Sequence, residues 1–225
     1  MPRATFLGHA CVALAHEHHR LIVDPFLSGN PVAAAQPAEI DVQYILVSHG
    51  HGDHIGDAIA IALRTGATII ASFELATLCA GEGAKTHPMH VGGAHEFDFG
   101  RVKLTIAHHG GGHGENASRY TGPPVGFLVT LGGKTLYHSG DTGLFYDMKL
   151  IGEMNDIELA FLPIGDNFTM GINDAVKAVE FLHPRRVVPM HYDTFPIVSA
   201  DPMVFARQVK GAEVVVLKPG ASVEF

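Results

Sequence analysis

A dense run of histidine and aspartate lies between an apolar strand and a predicted helix. The run reads SHGHGDH from Ser48 to His54. Its two glycines allow tight turning, and His49 and His51, two residues apart in extended chain, can face one ion from the same side. Asp53 and His54 enter the helix and would point elsewhere, towards a second ion. A polar turn with a helix-capping aspartate would explain Asp53 alone, so the run predicts a metal site.

Later segments are needed to complete such a site. Four residues cannot fill two coordination spheres, so further histidine or carboxylate ligands are expected at other strand ends. Three segments follow apolar runs and supply them: AHHGGGH from Ala107 to His113, HSGDTG from His138 to Gly143, and PMHY from Pro189 to Tyr192.

Apolar runs separated by turn residues predict alternating strands and helices. The 225 residues are 47% hydrophobic, and no linker divides them, so we expect one domain over residues 1–225, of the α/β (α+β) class. The predicted strands are Ala4–Leu7, Cys11–Ala15, Leu21–Val23, Tyr44–Ser48, Thr68–Ala71, Ala94–Phe99, Val102–Ala107, Val125–Leu131, Thr135–Tyr137, Ile157–Leu162, Arg186–Pro189 and Glu213–Leu217. The predicted helices are Asp57–Thr65, Glu74–Ala80, Asn173–Leu182 with Asn173 as its cap, and Pro202–Lys210. Gly132 and Gly133 should form a hairpin turn.

Charge and cysteine content exclude several function classes. A formal net charge of -8 disfavours nucleic acid as a partner. No apolar run is long enough to span a membrane and the first residues lack a secretory signal, so we expect a cytoplasmic protein with no membrane association. Cys11 and Cys79 have no nearby partner cysteine and are interpreted as buried apolar residues.

The motifs together resemble a known superfamily. HGHGDH, AHHG, HSGDTG and PMHY resemble the metallo-β-lactamase superfamily in their order across nearly the whole chain. LGHA, VDPF, YTGPPVGF, LPIGDNFTMG and VVPMHYDTFP further resemble the UPF0173 group of uncharacterised metal-dependent hydrolases. This resemblance implies a four-layer αββα sandwich with metal ions at one edge between two sheets.

The resemblance also implies a binuclear centre. Two divalent ions, zinc by default with manganese, iron, cobalt or nickel as alternatives, would be held by His49, His51, Asp53, His54, His109, Asp141 and His191. The first ion would take His49, His51 and His109, and the second Asp53, His54 and His191. Asp141 would bridge the two ions.

The histidine of the AHHG segment has alternatives. His109 best matches the family pattern because it directly precedes two glycines. His108 is expected to point into the sheet packing, and His113 is a loop histidine that could contact substrate. Either of them could replace His109.

Four other residues have open roles. Asp24 could orient a metal-bound histidine or only form an Asp-Pro turn. His9 and His138 follow strands and could reach the site, although a lone histidine is more often a packing residue. Asp166 lies in a polar loop that could shape the pocket or simply lead into the next helix.

The resemblance implies a hydrolase that uses a hydroxide held between two ions. Its substrate would be a small ester, lactone or phosphodiester, and Asp53 or Asp141 would accept a proton from the water. Four related classes are disfavoured because this sequence departs from the pattern of each. They are the β-lactamases, the di-iron redox proteins, the nucleases and the glutathione thioesterases. The alternative is a non-catalytic metal-binding or regulatory protein that keeps the fold. Homo-oligomers are common among similar proteins, so a second copy of the chain is a candidate partner, and the sequence leaves the oligomeric state open.

Overall fold

Two seven-stranded sheets form the framework of the computed structural model, which describes residues 1–225. The first sheet has the order β16-β1-β2-β3-β4-β5-β6, with β1 (Arg3–Gly8), β2 (Cys11–His16), β3 (His19–Val23), β4 (Tyr44–Leu46), β5 (Thr68–Ser72), β6 (Lys85–Met89) and β16 (Ser222–Glu224). The second has the order β15-β14-β13-β12-β11-β8-β7, with β7 (Ala94–Phe97), β8 (Gly100–Ile106), β11 (Val125–Leu131), β12 (Lys134–His138), β13 (Ile157–Pro163), β14 (Arg186–Met190) and β15 (Glu213–Val214). A small separate pair joins β9 (Gly112–His113) to β10 (Arg119–Tyr120).

Helices cover the outer faces of both sheets. They are α1 (Gly52–Ile55), α2 (Ala58–Thr65), α3 (Phe73–Gly81), α4 (Met148–Met154), α5 (Ile172–Leu182) and α6 (Pro202–Gln208). Ile61 of α2 and Leu75 of α3 pack against the first sheet, whereas Val179 of α5 and Phe205 of α6 pack against the second. The helix, sheet, sheet and helix layers confirm the predicted αββα sandwich.

The central strands are apolar on both faces because each face is covered. In β3, Leu21 and Val23 join the 24-residue cluster between the sheets, while Ile22 joins the cluster beneath α2 and α3. In β5, Ile70 belongs to the cluster between the sheets and Ile69 belongs to the cluster beneath α2 and α3. This alternation explains why these strands read as continuous apolar runs in the sequence.

The carboxyl ends of parallel strands bring the polar motifs together. Strands β3 to β6 run parallel in the first sheet, and β12 to β15 run parallel in the second. Asp24 follows β3, His49 follows β4, Asp141 follows β12 and His191 follows β14. Ligand sites in such sheets form beyond the carboxyl ends of strands, so this edge is where a site is expected.

One predicted turn is confirmed, whereas a predicted helix cap and the length of a predicted strand are wrong. Gly132 and Gly133, at φ 56° and 75°, form the two-residue turn between β11 and β12 as predicted. Asn173 does not cap α5, because Gly171 occupies the cap position and Asn173 lies inside the helix. The strand predicted over Glu213–Leu217 is only two residues long.

No helix is long and apolar enough to cross a membrane. Cys11 and Cys79 are both free and completely buried, as interpreted from the sequence.

Candidate metal centre

Three imidazoles converge beside the end of β4. Nε2 of His49 lies 2.9 Å from Nδ1 of His51, and Nε2 of His109 lies 3.2 Å from the same atom. Two nitrogen ligands of a tetrahedral zinc ion are about 3.3 Å apart when the bonds are near 2.0 Å. Glycine at position 50, between His49 and His51, leaves room for the Thr121 hydroxyl, which a Cβ there would displace. The spacing therefore suits one shared cation.

A second group lies next to the first. His54 is in α1, His191 follows β14, and Asp53 precedes His54 in the chain. The ligand atoms of these three residues and of His9 all lie within 4.8 Å of one another. Asp53 is the most accessible of them, since about a third of its side chain is exposed.

Asp141 connects the two groups. Its Oδ2 lies 3.0 Å from Nε2 of His191, 3.1 Å from Nε2 of His54 and 3.6 Å from Nε2 of His109. Burial raises the pKa of Asp141, but His54 and His191 outweigh it and hold the pKa well below its usual value. The carboxylate is therefore ionised and contacts both histidine groups.

Unpartnered buried atoms show that the residues fit divalent cations. Hydrogen-bond partners are missing for Nε2 of His9, Nε2 of His54, Nε2 of His191 and Oδ1 of Asp141. Buried polar atoms are normally paired, and an unpaired group needs an explanation such as an ion. Nitrogen and carboxylate oxygen donors suit zinc and other divalent transition metals. These converging lone pairs therefore form a cradle for metal.

Asp24 lies behind the second group. Its Oδ2 is 2.8 Å from Nδ1 of His54 and accepts a hydrogen bond of 2.7 Å from the Ser48 hydroxyl. Burial lowers the pKa of His54, but Asp141 and Asp24 together raise it well above its usual value. The structure thus places Asp24 as an orienter of His54 and not merely as a turn residue.

His9 lies next to the second group of donors. The sequence had left its role open. It follows β1 with φ 58°, and the residue is 1% exposed. Its Nδ1 lies 2.8 Å from the Thr194 hydroxyl, and its Nε2 lies 3.3 Å from Oδ2 of Asp53. Burial lowers the pKa of His9 to about 4, with a smaller opposing effect from Asp53.

The other candidate histidines lie outside the cluster. His108 is exposed and stacks on Phe145 at 4.9 Å, so the expectation that it packs into the sheet is wrong. His113 donates from Nδ1 to the carbonyl of Gly50 at 2.9 Å. His138 is buried, with Nε2 donating to the carbonyl of Ala10 and Nδ1 accepting from the Gly140 amide. Of the AHHG histidines, the structure brings only His109 to the first group.

A cavity of about 210 Å³ opens onto both groups. It is lined by His51, Asp53, His109, Asp141, Phe168 and His191. Phe168 is 55% exposed and forms the apolar part of the lining. Asp166, which the sequence singled out, is exposed, accepts a hydrogen bond at Oδ1 from the backbone amide of Asn167, and lines a different cavity. A larger polar cavity of about 490 Å³, near the start of α5, contains no histidine.

Comparisons with known proteins agree with this architecture. Residues 19–192 match the beta-lactamase superfamily domain. A UPF0173 metal-dependent hydrolase of Desulforamulus reducens is 54% identical over 97% of this chain and 97% of its own length. The chain belongs to the UPF0173 family of metal-dependent hydrolases. A second UPF0173 member, from Carboxydothermus hydrogenoformans, is 51% identical over 98% of this chain and 99% of its own.

A solved structure shows the same fold. The metallo hydrolase of the archaeon Ignicoccus hospitalis superposes on this UPF0173 protein with a TM-score of 0.91 and 33% identity, covering 100% of this chain and 99% of that one. The resemblance to metal-dependent hydrolases that the motifs predicted is therefore confirmed.

Phe168 and Thr194 of this UPF0173 protein carry no local signal in the sequence that would mark them as part of the site. Phe168 lies two residues from Asp166, in a loop whose polar residues drew attention instead. Thr194 is 185 residues from its partner His9. No local pattern links two residues so far apart, so only the packing of the sheets could reveal their contact.

Proposed function

We propose that this UPF0173 protein is a binuclear metal-dependent hydrolase that acts on a small ester, lactone or phosphodiester. The observation that carries the proposal is the position of Asp141, whose Oδ2 lies within 3.6 Å of His109 and 3.0 Å of His191. A single carboxylate between two separate groups of donors suits two neighbouring cations.

Seven residues would hold the ions. The first set is His49, His51 and His109, and the second is Asp53, His54 and His191, with Asp141 shared. When bound, divalent ions would lower the pKa of a coordinated water to about 7 and would polarise the oxygen of the bond to be cleaved. Zinc is the default for these donors, and manganese, iron, cobalt or nickel also fit them.

The two carboxylates would have different tasks. Asp141 is only 2% exposed and is surrounded by imidazoles, so it holds the two sets together. Asp53 lines the cavity with about a third of its side chain exposed. Burial raises the pKa of Asp53, but His9 and His54 hold it well below its usual value, so the group is ionised at neutral pH. Asp53 is therefore the better placed of the two to accept a proton from the attacking water.

The cavity supports a small substrate. Its volume of about 210 Å³ is below the range of roughly 300 to 1,000 Å³ that is usual for drug-sized ligands. Phe168 adds an apolar ring to a lining that is otherwise charged or polar, which suits a substrate with one apolar portion next to the bond that is cleaved.

Metal stoichiometry is the first test. Protein purified without chelator and measured by mass spectrometry of the elements should contain about two ions per chain. His109→Gln should lose one ion, whereas His108→Gln should keep both, because His108 stacks on Phe145 outside the cluster. A protein with two ions should then hydrolyse members of an ester, lactone or phosphodiester panel. One ion or none after metal reconstitution would contradict the proposal and favour a non-catalytic protein that keeps the fold.

A further inference from the structure

His9 is held rigidly against the second group of donors. Its carbonyl accepts a hydrogen bond of 2.8 Å from the backbone amide of His191. The rings of His9 and His191 are 3.9 Å apart, and the ring of His54 is 5.6 Å from that of His9. Because β1 and β14 belong to different sheets, this contact joins the two halves of the sandwich at the site.

The two ring nitrogens of His9 have different environments. Nδ1 lies 2.8 Å from the hydroxyl of the buried Thr194, which can accept its proton. Nε2 is buried and has no hydrogen-bond partner, although Oδ2 of Asp53 is 3.3 Å away. The separation of the two atoms is within hydrogen-bond range, but their relative orientation does not make a hydrogen bond. With Nδ1 donating to the Thr194 hydroxyl, Nε2 would present its lone pair to the cluster.

The same arrangement occurs at histidines of the proposed ligand set. His54 has Nδ1 paired with Asp24 and Nε2 facing the cluster, and His49 has Nδ1 next to the Ser48 hydroxyl. Metal-binding histidines characteristically donate their second ring N–H to such a partner, which fixes the tautomer. Thr194 stands in the same relation to His9.

The separations also suit a shared ion. The ligand atoms of His9, Asp53, His54 and His191 lie within 4.8 Å of one another. With bonds of about 2.1 Å, two donors on opposite sides of an ion are about 4.2 Å apart, so small side-chain adjustments would place all four in reach.

We propose that His9, through Nε2, is a further protein ligand of the second metal ion. It would be the fourth residue, with Asp53, His54 and His191, that binds this ion alone. The inference rests on the proposed function, since it assumes that the second ion is bound. Together with Asp141 and a shared water, the donors of that ion would then number six. Six donors of nitrogen and oxygen suit manganese, iron, cobalt or nickel better than zinc, which prefers four. The second site should therefore favour these metals more than the first site does.

Nuclear magnetic resonance of the cadmium-loaded protein tests the ligand directly. In protein labelled with ¹⁵N and loaded with ¹¹³Cd, each coordinated ring nitrogen is split by the metal nucleus. We expect six coupled rings: those of His9, His49, His51, His54, His109 and His191. The His9 signal should show a split Nε2 and a proton on Nδ1. Five coupled rings, with a protonated and unsplit Nε2 on His9, would overturn the inference and make His9 a hydrogen-bond donor to Asp53.

Metal titration gives a second readout. His9→Gln should lower the affinity for the second ion by at least tenfold and leave the first ion bound, and Thr194→Val should weaken the same ion by about tenfold. His108→Gln is the matched control and should change neither affinity. Two ions bound with unchanged affinity in His9→Gln would reject the inference alone. Failure of the unmodified protein to bind two ions would instead reject the proposed function.

Discussion

Oδ2 of Asp24 lies 2.8 Å from Nδ1 of His54, and neither side chain is exposed to solvent. The carboxylate is itself fixed, because its Oδ1 accepts a 2.7 Å hydrogen bond from the backbone amide of Ser48, two residues after the end of β4. With a metal ion bound, a proton held on Nδ1 would leave Nε2 of His54 available as a ligand. The aspartate at the end of one strand thus sets the tautomer of a histidine that lies 30 residues later.

Asp24→Asn should weaken binding of the second ion. The amide keeps the size of the carboxylate but removes the charge that holds the proton on Nδ1 of His54. We expect a 10- to 100-fold loss of affinity, measured by competition with a chelator. Asp98→Asn, at an exposed carboxylate that accepts from Tyr44, is the matched control. Equal affinities in the two variants would show that Asp24 has no orienting role.

Asp141→Asn should abolish hydrolysis and preserve the fold. Loss of a residue that only orients a metal ligand typically lowers metal affinity or activity 10- to 100-fold. Asp141 would itself be a ligand shared by both ions, so its loss should lower turnover by more than about 100-fold. Circular dichroism should be unchanged. Asp147→Asn alters an exposed aspartate before α4 that makes no capping bond, and it should retain activity. Undiminished turnover in Asp141→Asn would rule out the bridging role.

Removal of metal should destabilise the protein. An ion at 100 times its dissociation constant stabilises the fold by about 2.7 kcal/mol, which for a chain of this size is roughly 5 to 10 °C in melting temperature. Thermal melts with chelator, and after readdition of metal, measure the shift. The apo protein should melt lower and recover fully with metal. Identical melts in all three conditions would contradict a filled site.

Phe168→Ala should weaken substrate binding without affecting the fold. The side chain is 55% exposed, so the loss of its contact with an apolar part of the substrate should cost about 1 kcal/mol, or about fivefold in KM. The turnover number should stay near its original value, because Phe168 carries no proton or ligand. Phe73→Ala removes a ring of similar exposure, 51%, that lies outside the cavity, and it serves as control. A fall in turnover with constant KM would contradict this role.

The two cysteines should resist alkylation in the folded protein. Burial raises the pKa of the Cys79 thiol to about 11, and burial also raises that of Cys11 well above its usual value. At pH 8 the thiolate fraction of Cys79 is then about a hundredfold below that of a free thiol, and access is blocked as well. Mass spectrometry after iodoacetamide should show modification only in denaturant. Rapid labelling of the native protein would contradict this expectation.

The fold was largely predictable because its local signals agree with its packing. Apolar runs marked most central strands, and the diglycine turn fixed the β11–β12 hairpin. The elements that escaped prediction have weak local signals. Strand β6 contains Pro88 at a sheet edge, which its position tolerates. Helix α4 has only seven residues with Gly152 among them, and it is stabilised by packing of Met148 beneath it.

Position 173 illustrates why caps are harder to predict than elements. Asparagine is a favoured cap, so the sequence placed the start of α5 there. In the folded chain the helix begins at Ile172 after Gly171, and Asp166 packs against that glycine. The cap position of the helix therefore lies beside a loop contact, two residues before the residue type that caps best.

The sequence by itself determined the donor types, their order and the strands that precede them, because a histidine run after an apolar strand is a local pattern. Tertiary structure decided which donors converge. It brought His109 to the cluster and left His108 exposed on Phe145, and it placed His9 beside His191 although they are 182 positions apart. Convergence depends on how two sheets pack and where their strand ends meet, and that long-range geometry has no counterpart in the spacing of residues along the chain.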